Sequence, residues 1–395
     1  MPKTKDYTNE SITALKGADR VRKRPSVIAD HPPRERVRRG EREVNNREFL
    51  LANAGAPIRY ALTKDASLLP EVLANEEVRL WLRRLEDWVA HDFWRNVHGS
   101  HDYRYVNIIG KCFNLGLDRG VAALDQLICP ILGELRRRIS EPAEEGCPGF
   151  GKMYRYCDGE TIIAAYFPWM GYHGEDSVRY VADKRIDIVY EFARQKRYDI
   201  YREGARYPGT QKAWLPHIVD PALYRDGNIA LASFPDYVLY AGMYRHASQA
   251  QRDKIETIVE WVYGDEYAQL HGNYYYYVPT DPRYKSKSIN GKLHLMDFDR
   301  EPLDKNSLHG LLFTCFVLSH FKASWDARWF NRALDFLNQY RTQEGHYRFP
   351  PDLIPEKKDT YAYNRLNVGE EMKSRRRPEI LSTYWMERIL ANLCE

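Results

Sequence analysis

Apolar residues recur every three or four positions along most of the chain from residue 44 onward, which is the period of an amphipathic α-helix. The segment 68–89 follows this period with charged residues between its apolar positions, which are Leu69, Val72, Leu73, Val78, Leu82, Leu85 and Val89. Few segments alternate between apolar and polar residues as a half-buried strand does. The pattern therefore predicts an all-α protein.

The predicted helices come in pairs. Three pairs are predicted, at 107–139, 229–263 and 307–341. The loop inside each pair is short, and two helices joined by a short loop lie antiparallel. One pair recurs per roughly 50–60 residues, which is typical of stacked helix pairs. A last helix is predicted at 378–393, where Pro378 suits the first turn.

Stacked helix pairs form either a closed α/α toroid or an open α-solenoid. An open solenoid needs polar outer faces on its terminal helices, whereas closure buries the apolar faces of those helices. The last predicted helix is strongly apolar between Ile380 and Leu390, which favours closure. We therefore predict a single α/α-toroid domain over residues 44–395, with an open α-solenoid as the alternative.

Residues 1–43 predict a basic, partly extended arm. Pro25, Pro32 and Pro33 interrupt any helix there. Residues 20–47 contain ten Lys and Arg against four Asp and Glu, although the net charge of the whole chain is only +4. The body is therefore close to neutral. We interpret the arm as solvated; contacts of residues 20–47 with nucleic acid or an acidic partner, and packing across the body or a neighbouring subunit, are the alternatives.

Several features favour a cytoplasmic protein without a metal or cofactor. No stretch approaches the roughly 20 apolar residues that span a bilayer, and the first residues lead into no apolar segment of a secretory signal. The six cysteines are scattered without the spacing of a zinc site, so we expect reduced thiols.

A short part of the arm resembles the start of the ATPase subunits of bacterial DNA gyrase B and topoisomerase IV. The similarity is carried by Tyr7-Thr8-Asn9-Glu10-Ser11-Ile12, Leu15-Lys16-Gly17-Ala18-Asp19 and Val21-Arg22-Lys23-Arg24-Pro25. In that family the stretch leads into a helix with the ATP-site Glu and Asn and then into glycine-rich loops. Here no G-x-G-x-x-G follows, so no ATPase activity is inferred.

A second resemblance covers about residues 45–395. Pro57-Ile58-Arg59-Tyr60, Gly345-His346-Tyr347-Arg348-Phe349-Pro350, Ser382-Thr383-Tyr384-Trp385 and Arg388-Ile389-Leu390 carry it. These segments look like the α/α-toroid proteins grouped with terpenoid cyclases and protein prenyltransferases, in particular the bacterial prenyltransferase-like members. The resemblance implies the toroid fold and says little about activity, because function lies in the site and not in the fold.

The sequence departs from the catalytic motifs of that group. The nearest match to the Asp-x-Asp-Asp acid of the cyclases is Asp297-Phe298-Asp299-Arg300, which has Arg in the place of the last carboxylate. Asp304, Cys315 and His320 are the residue types that hold zinc in the prenyltransferases, but the spacing between Asp and Cys is wrong. Neither chemistry is carried over.

The richest candidate segment is 265–304. It contains four consecutive tyrosines, of which Tyr275 and Tyr276 offer flat faces to a sugar ring or an isoprenoid chain. His294, Asp297 and Asp299 offer acid and base groups nearby. Long loops of this kind are often functional. A β-ribbon with purely structural tyrosines is the alternative.

Three further places contain polar groups beside aromatic ones. Arg202 follows two tyrosines and suits an anionic or sugar ligand. Tyr347 follows a glycine turn. The polar cluster His98-Gly99-Ser100-His101-Asp102 resembles no established zinc motif. Ordinary packing is the alternative for each.

Two hypotheses for the function follow from the sequence. The first is an enzyme with acid–base chemistry on a saccharide or isoprenoid-like ligand in the toroid mouth. The second is a non-catalytic helical scaffold that binds a ligand or partner.

Overall fold

The computed structural model of the chain leaves parts of the sequence undescribed. It describes residues 40–93, 96–140, 159–202, 204, 206–224, 229–277, 286–289, 291–301, 304–354 and 358–393. The gyrase-like stretch lies outside these residues. So does the predicted arm, apart from residues 40–43, which begin the first described helix.

The described residues are mostly helical. Helix accounts for 62% of the structure and strand for 3%, which confirms the all-α prediction. The helices are α1 (Gly40–Asn53), α2 (Ala56–Thr63), α3 (Leu69–Ala74), α4 (Glu76–His91), α5 (Tyr105–Asn114), α6 (Ala122–Ser140), α7 (Gly159–Ala164), α8 (Asp176–Ala193), α9 (Phe234–Met243), α10 (Gln249–Val262), α11 (Asp265–Gln269), α12 (Lys305–Leu318), α13 (Lys322–Trp325), α14 (Arg328–Asn338) and α15 (Arg377–Leu390).

Two strands and several single helical turns fill the connections. Strands β1 (Tyr274–Tyr277) and β2 (Ser286–Ile289) pair antiparallel, with Tyr275 opposite Ser288. A π-helical turn at Pro168–Tyr172 follows α7. None of the described helices is long and apolar enough to cross a lipid bilayer.

Helix α4 illustrates how the sequence specifies its helices. The side chain of Asn75 accepts hydrogen bonds from the backbone N–H groups of residues 77 and 78, which caps the N-terminus. Val78, Trp81, Leu85 and Trp88 recur at intervals of three and four and are all buried. The remaining face is charged, so this helix has one side for the core and one for solvent.

The helices pack in two series. In the first, α4 contacts α6, α6 contacts α8, α8 contacts α10, and α10 contacts α13. In the second, α5 contacts α7, α7 contacts α9, α9 contacts α12, and α12 contacts α15. Members of the two series alternate along the chain, as expected for successive helix pairs.

Contacts between distant parts of the chain join the beginning of the described structure to its end. Helix α1 packs against α15. The backbone N–H of Gly55 donates to Oε1 of Glu370 at 2.7 Å, and the side-chain amide of Asn75 donates to the carbonyl of Gly369 at 2.9 Å. In the second series, Arg388 of α15 donates to Oδ1 of Asn114 of α5 at 3.3 Å, which links its last helix to its first.

The helices of the second series bring their C-terminal ends together. Phe113 in the last turn of α5 lies 6.1 Å from Phe316 in the last turn of α12, measured between ring centroids. Trp169 follows α7 and lies 5.1 Å from Phe316. A Cβ atom on Gly242, in the last turn of α9, would lie 2.7 Å from the Trp169 ring, so only glycine permits this approach.

One buried ion pair fixes α8 against the start of α9. Nε of Arg185 donates to Oδ1 of Asp236 at 2.8 Å, and the guanidinium also donates to the carbonyls of Ile229 and Leu231. The other oxygen of Asp236 accepts from the backbone N–H of Ser233 at 2.8 Å, which caps α9. Both charged side chains are almost completely removed from solvent. A buried charge of this kind is tolerated only while its partner is present.

We expect Asp236→Ala to destabilise the protein by about 3–5 kcal/mol, because it leaves the Arg185 guanidinium buried and unpaired. The free energy of unfolding from urea denaturation measures this. Asp187→Ala is the matched control, since Asp187 forms an exposed pair with Lys254 and should change stability by less than about 1 kcal/mol. Equal effects of the two variants would contradict the structural role of the buried pair.

Candidate functional site

Arg388 lies in the last turn of α15 with its guanidinium among aromatic rings. The guanidinium carbon is 4.0 Å from the ring centroid of Phe316 and 4.7 Å from that of Phe113. It is 4.7 Å from the ring of Trp385 and 5.6 Å from that of Tyr384. These rings come from three helices, α5, α12 and α15. We call Arg388, these four rings, Trp169 and His320 the Arg388 site.

Among the described residues, no carboxylate forms an ion pair with Arg388. Its one described side-chain acceptor is Oδ1 of Asn114. Burial lowers the pKa of the Arg388 guanidinium, although the tyrosines nearby act in the opposite direction. A guanidinium has five N–H donors in one plane. Stacking on rings occupies its faces and leaves the in-plane donors available to a ligand.

The surrounding backbone explains how the charge is tolerated. The C-terminal ends of α5, α9, α12 and α15 meet here, and the C-terminus of a helix carries a partial negative charge from its last carbonyls. Each nearby ring face adds a cation–π attraction of about 0.5–2 kcal/mol. The site therefore has a diffuse negative environment with a single full positive charge inside it.

Several side chains of the site keep accessible surface although their neighbours belong to the core. Arg388, Phe113, Trp169 and Tyr363 are each partly exposed, while Phe316 and Trp385 are buried. Arg388 is desolvated, yet part of its surface is accessible. Both observations are explained if its side chain faces a concave space inside the protein. Close-packed interiors leave no such surface. Accessible surface on these side chains inside the core predicts a recess beside Arg388.

His320 is the second polar group of the site. Its ring lies 4.7 Å from Trp169 and 5.1 Å from Phe316, edge to face in both cases. Nδ1 lies 2.9 Å from the carbonyl oxygen of residue 316, in the last turn of α12, which ends just before His320. Burial lowers the pKa of His320 to about 3, with smaller contributions from Arg245 and Arg388. The imidazole is therefore neutral at physiological pH.

A row of aromatic rings extends from the Arg388 site toward the surface. Tyr363 lies 6.2 Å from Phe313, which lies 6.0 Å from Phe316. Tyr361 stacks on Tyr363 at 5.1 Å with nearly parallel planes, and His98 follows at 5.4 Å from Tyr361. Tyr361, Tyr363 and His98 are partly exposed, whereas Phe313 and Phe316 are buried. We call this row the aromatic track.

The structure brings the predicted acid–base residues into one turn. His294 Nε2 lies 2.9 Å from a carboxylate oxygen of Glu301, and the other oxygen of Glu301 accepts from the backbone N–H of Asp297. Asp299 pairs with Arg332 of α14 at 3.0 Å. The side chains of Asp297 and Asp299 are 42% and 66% exposed, which places the turn at the surface beside α14. Their catalytic role stays a prediction.

The predicted ligand-binding residues near the β-ribbon have different surroundings. Tyr275 stacks on Trp214 at 4.7 Å and lies 5.2 Å from His271. Tyr276 is buried with its ring edge-on to Tyr224 at 4.9 Å. Arg202 is exposed, and its charge acts on the pKa of Tyr207, which burial raises. Tyr275 therefore belongs to a small buried cluster with Tyr207, and Arg202 is exposed close to that cluster.

Tyr347 lies in a different place from the ribbon residues. It is buried, its hydroxyl lies 2.7 Å from Oδ1 of Asn338 on α14, and its backbone N–H donates to Thr383 of α15. These contacts join the turn at 345–349 to two helices. A ligand-binding role for Tyr347 stays a prediction, and the observed contacts are those of packing.

The sequence contained a signal for Arg388 that the pattern analysis did not use. Arg388 follows Tyr384 by four positions and Trp385 by three, so on a helix it shares their face. An arginine on the apolar face of a helix is unusual, because buried charges are rare. Phe113 carried no such signal, since an aromatic residue at helical spacing is an ordinary core residue. No cluster of three or more potential metal ligands occurs within the residues that the structure describes.

We expect the double variant Asp297→Ala/Asp299→Ala to change the free energy of unfolding by less than about 2 kcal/mol, because exposed ion pairs contribute about 0–1 kcal/mol each. Urea denaturation measures this, and Asp236→Ala provides the comparison for a buried carboxylate. A loss as large as that of Asp236→Ala would show that these aspartates are structural and remove the basis for a purely chemical role.

The chain was compared with known proteins in three ways. No family model matches it, no curated protein matches it, and no solved structure matches it. The similarity to the α/α-toroid group therefore stays a prediction from the sequence, and the function is argued from the geometry of the Arg388 site.

Proposed function

We propose that this protein is an α/α toroid that binds a small organic anion with an apolar body at its centre. The observation that carries the proposal is Arg388, a partly exposed guanidinium among aromatic rings with no ion-pair partner among the described residues. A buried charge is costly unless it is paired. A ligand anion would supply the partner that the described residues do not give this position.

The contacts between helices support the toroid. In a toroid, one series of helices forms an inner ring and the other an outer ring, and the first and last pairs meet. The contact of α1 with α15 and the hydrogen bond between Arg388 and Asn114 are the contacts that closure requires. The helices of the second series also run in the same direction. An inner ring has this property, because each outer helix returns the chain to the end at which the next inner helix begins.

The chemistry of the recess selects the class of ligand. The in-plane N–H groups of Arg388 match a carboxylate or phosphate oxygen pair. The rings around them and the aromatic track favour an apolar body over a strongly hydrated one, because each buried methylene contributes about 0.8 kcal/mol. A saccharide would need many hydrogen-bonding groups, whereas Arg388, His320 and Asn114 are few.

We expect octanoate to bind in a manner that depends on Arg388. Arg388→Met should weaken binding about 30-fold or more, because it removes the charged partner of the carboxylate. Arg388→Lys should weaken binding less, since it keeps the charge and loses the planar fork. Isothermal titration calorimetry measures both. Arg332→Met is the matched control, because Arg332 is a surface arginine paired with Asp299, and it should bind octanoate as the unaltered protein does.

The stability of Arg388→Met separates binding from packing. If Arg388 serves a ligand, its removal relieves a buried unpaired charge, and the melting temperature should stay equal or rise. A fall of several degrees together with normal octanoate binding would contradict the proposal and mark Arg388 as a packing residue. Acetate should bind at least about 100-fold more weakly than octanoate, because it lacks the apolar body.

A further inference from the structure

The hydrogen bonds around His320 define which ring nitrogen carries the proton. The amide nitrogen of Asn392 has two hydrogens, and it donates to the hydroxyl of Ser319 and to the carbonyl of Arg388, both at 2.8 Å. The other side of that amide accepts from Arg245, which fixes its orientation. The same nitrogen lies 3.4 Å from Nδ1 of His320, but both of its hydrogens are already used in these two shorter bonds. Nδ1 therefore carries its own proton and donates to the carbonyl of residue 316 at 2.9 Å.

This tautomer leaves Nε2 of His320 as a hydrogen-bond acceptor. His320 follows the end of α12 and its Nδ1 faces the last turn of that helix, so Nε2 on the opposite side of the ring faces away from α12. The imidazole is neutral because burial holds its pKa at about 3. Only 9% of the residue is exposed, so bulk water does not surround this nitrogen. A donor on a ligand would form a hydrogen bond with this acceptor.

The side chains of His320 and Arg388 both lie against the ring of Phe316. The guanidinium carbon of Arg388 is 4.0 Å from the Phe316 centroid, and the His320 ring is 5.1 Å from it. One molecule in the recess can therefore meet both groups. The guanidinium supplies donors and a positive charge, whereas Nε2 supplies one acceptor. A ligand that satisfies both needs an anionic group and a hydrogen-bond donor close together.

We propose that His320 is a second recognition group of the Arg388 site and that the preferred ligands are hydroxycarboxylates with an apolar body. The carboxylate would lie on Arg388, and a hydroxyl on a neighbouring carbon would donate to Nε2 of His320. This inference rests on the proposed function, since it assigns the second contact of the same ligand. It narrows the class from organic anions in general to those that carry a hydroxyl beside the charge.

Calorimetric titration with octanoate, 2-hydroxyoctanoate and 3-hydroxyoctanoate tests the inference. We expect at least one hydroxy acid to bind about three- to tenfold more tightly than octanoate, the range for one hydrogen bond. His320→Phe keeps a ring and removes the acceptor, so the ratio of hydroxy-acid affinity to octanoate affinity should fall to about one in that variant. His320→Gln keeps an acceptor near the position of Nε2 and should retain part of the preference.

The outcomes separate this inference from the proposed function. If octanoate binds through Arg388 and neither hydroxy acid binds more tightly, the assignment of His320 is wrong and the anion site stands. If His320→Phe keeps the preference, another group accepts the hydroxyl and the assignment is again wrong. If octanoate does not bind, or if Arg388→Met binds it normally, the proposed function itself fails. Octanoate binding by each His320 variant also reports that the recess is intact.

Discussion

The structure depends on holding one guanidinium inside a helical core without a carboxylate beside it in the described residues. Desolvating a charge opposes folding, so the elements around Arg388 must compensate. They do so with ring faces from three helices and with the carbonyl ends of several helices that share a direction. The helices of the second series run in the same direction, which places their carbonyl ends around Arg388. This shared direction is therefore an electrostatic requirement at this position as well as a result of how the chain connects the helices.

The buried charge of Arg185 follows a different rule. Arg185 is matched by Asp236 and by two backbone carbonyls, which completes its hydrogen bonds. Such a pair specifies how α8 meets α9 and has no capacity left for a ligand. Apolar residues surround both arginines, but their roles differ. Arg185 has a structural role, whereas Arg388 is available to recognise a ligand.

The helices were largely predictable, and the site was not. Periodicity located the pairs α5–α6 and α9–α10 and the final helix α15, because one face of each helix must be apolar to be buried. Periodicity shows which helix faces are buried, but it does not show where two buried faces leave an open space between them. Trp169 sits in a π-helical turn and Tyr363 in an irregular segment, so neither position follows from a helical period. The predicted residues Asp297 and Tyr275 were chosen by residue type, which carries no information on burial.

The contact between Gly55 and Glu370 has a consequence for how the molecule assembles. These two residues are 315 positions apart, so this contact forms only after all the residues between them have been synthesised. Helix α15, which carries Arg388, follows Glu370 in the chain and therefore leaves the ribosome later than α5 and α12. Nascent chains would accordingly expose the apolar flanks of α5 and α12 until that moment, and contacts of such sequence separation form slowly. Folding of this protein in the cell is thus expected to require shielding from aggregation during translation.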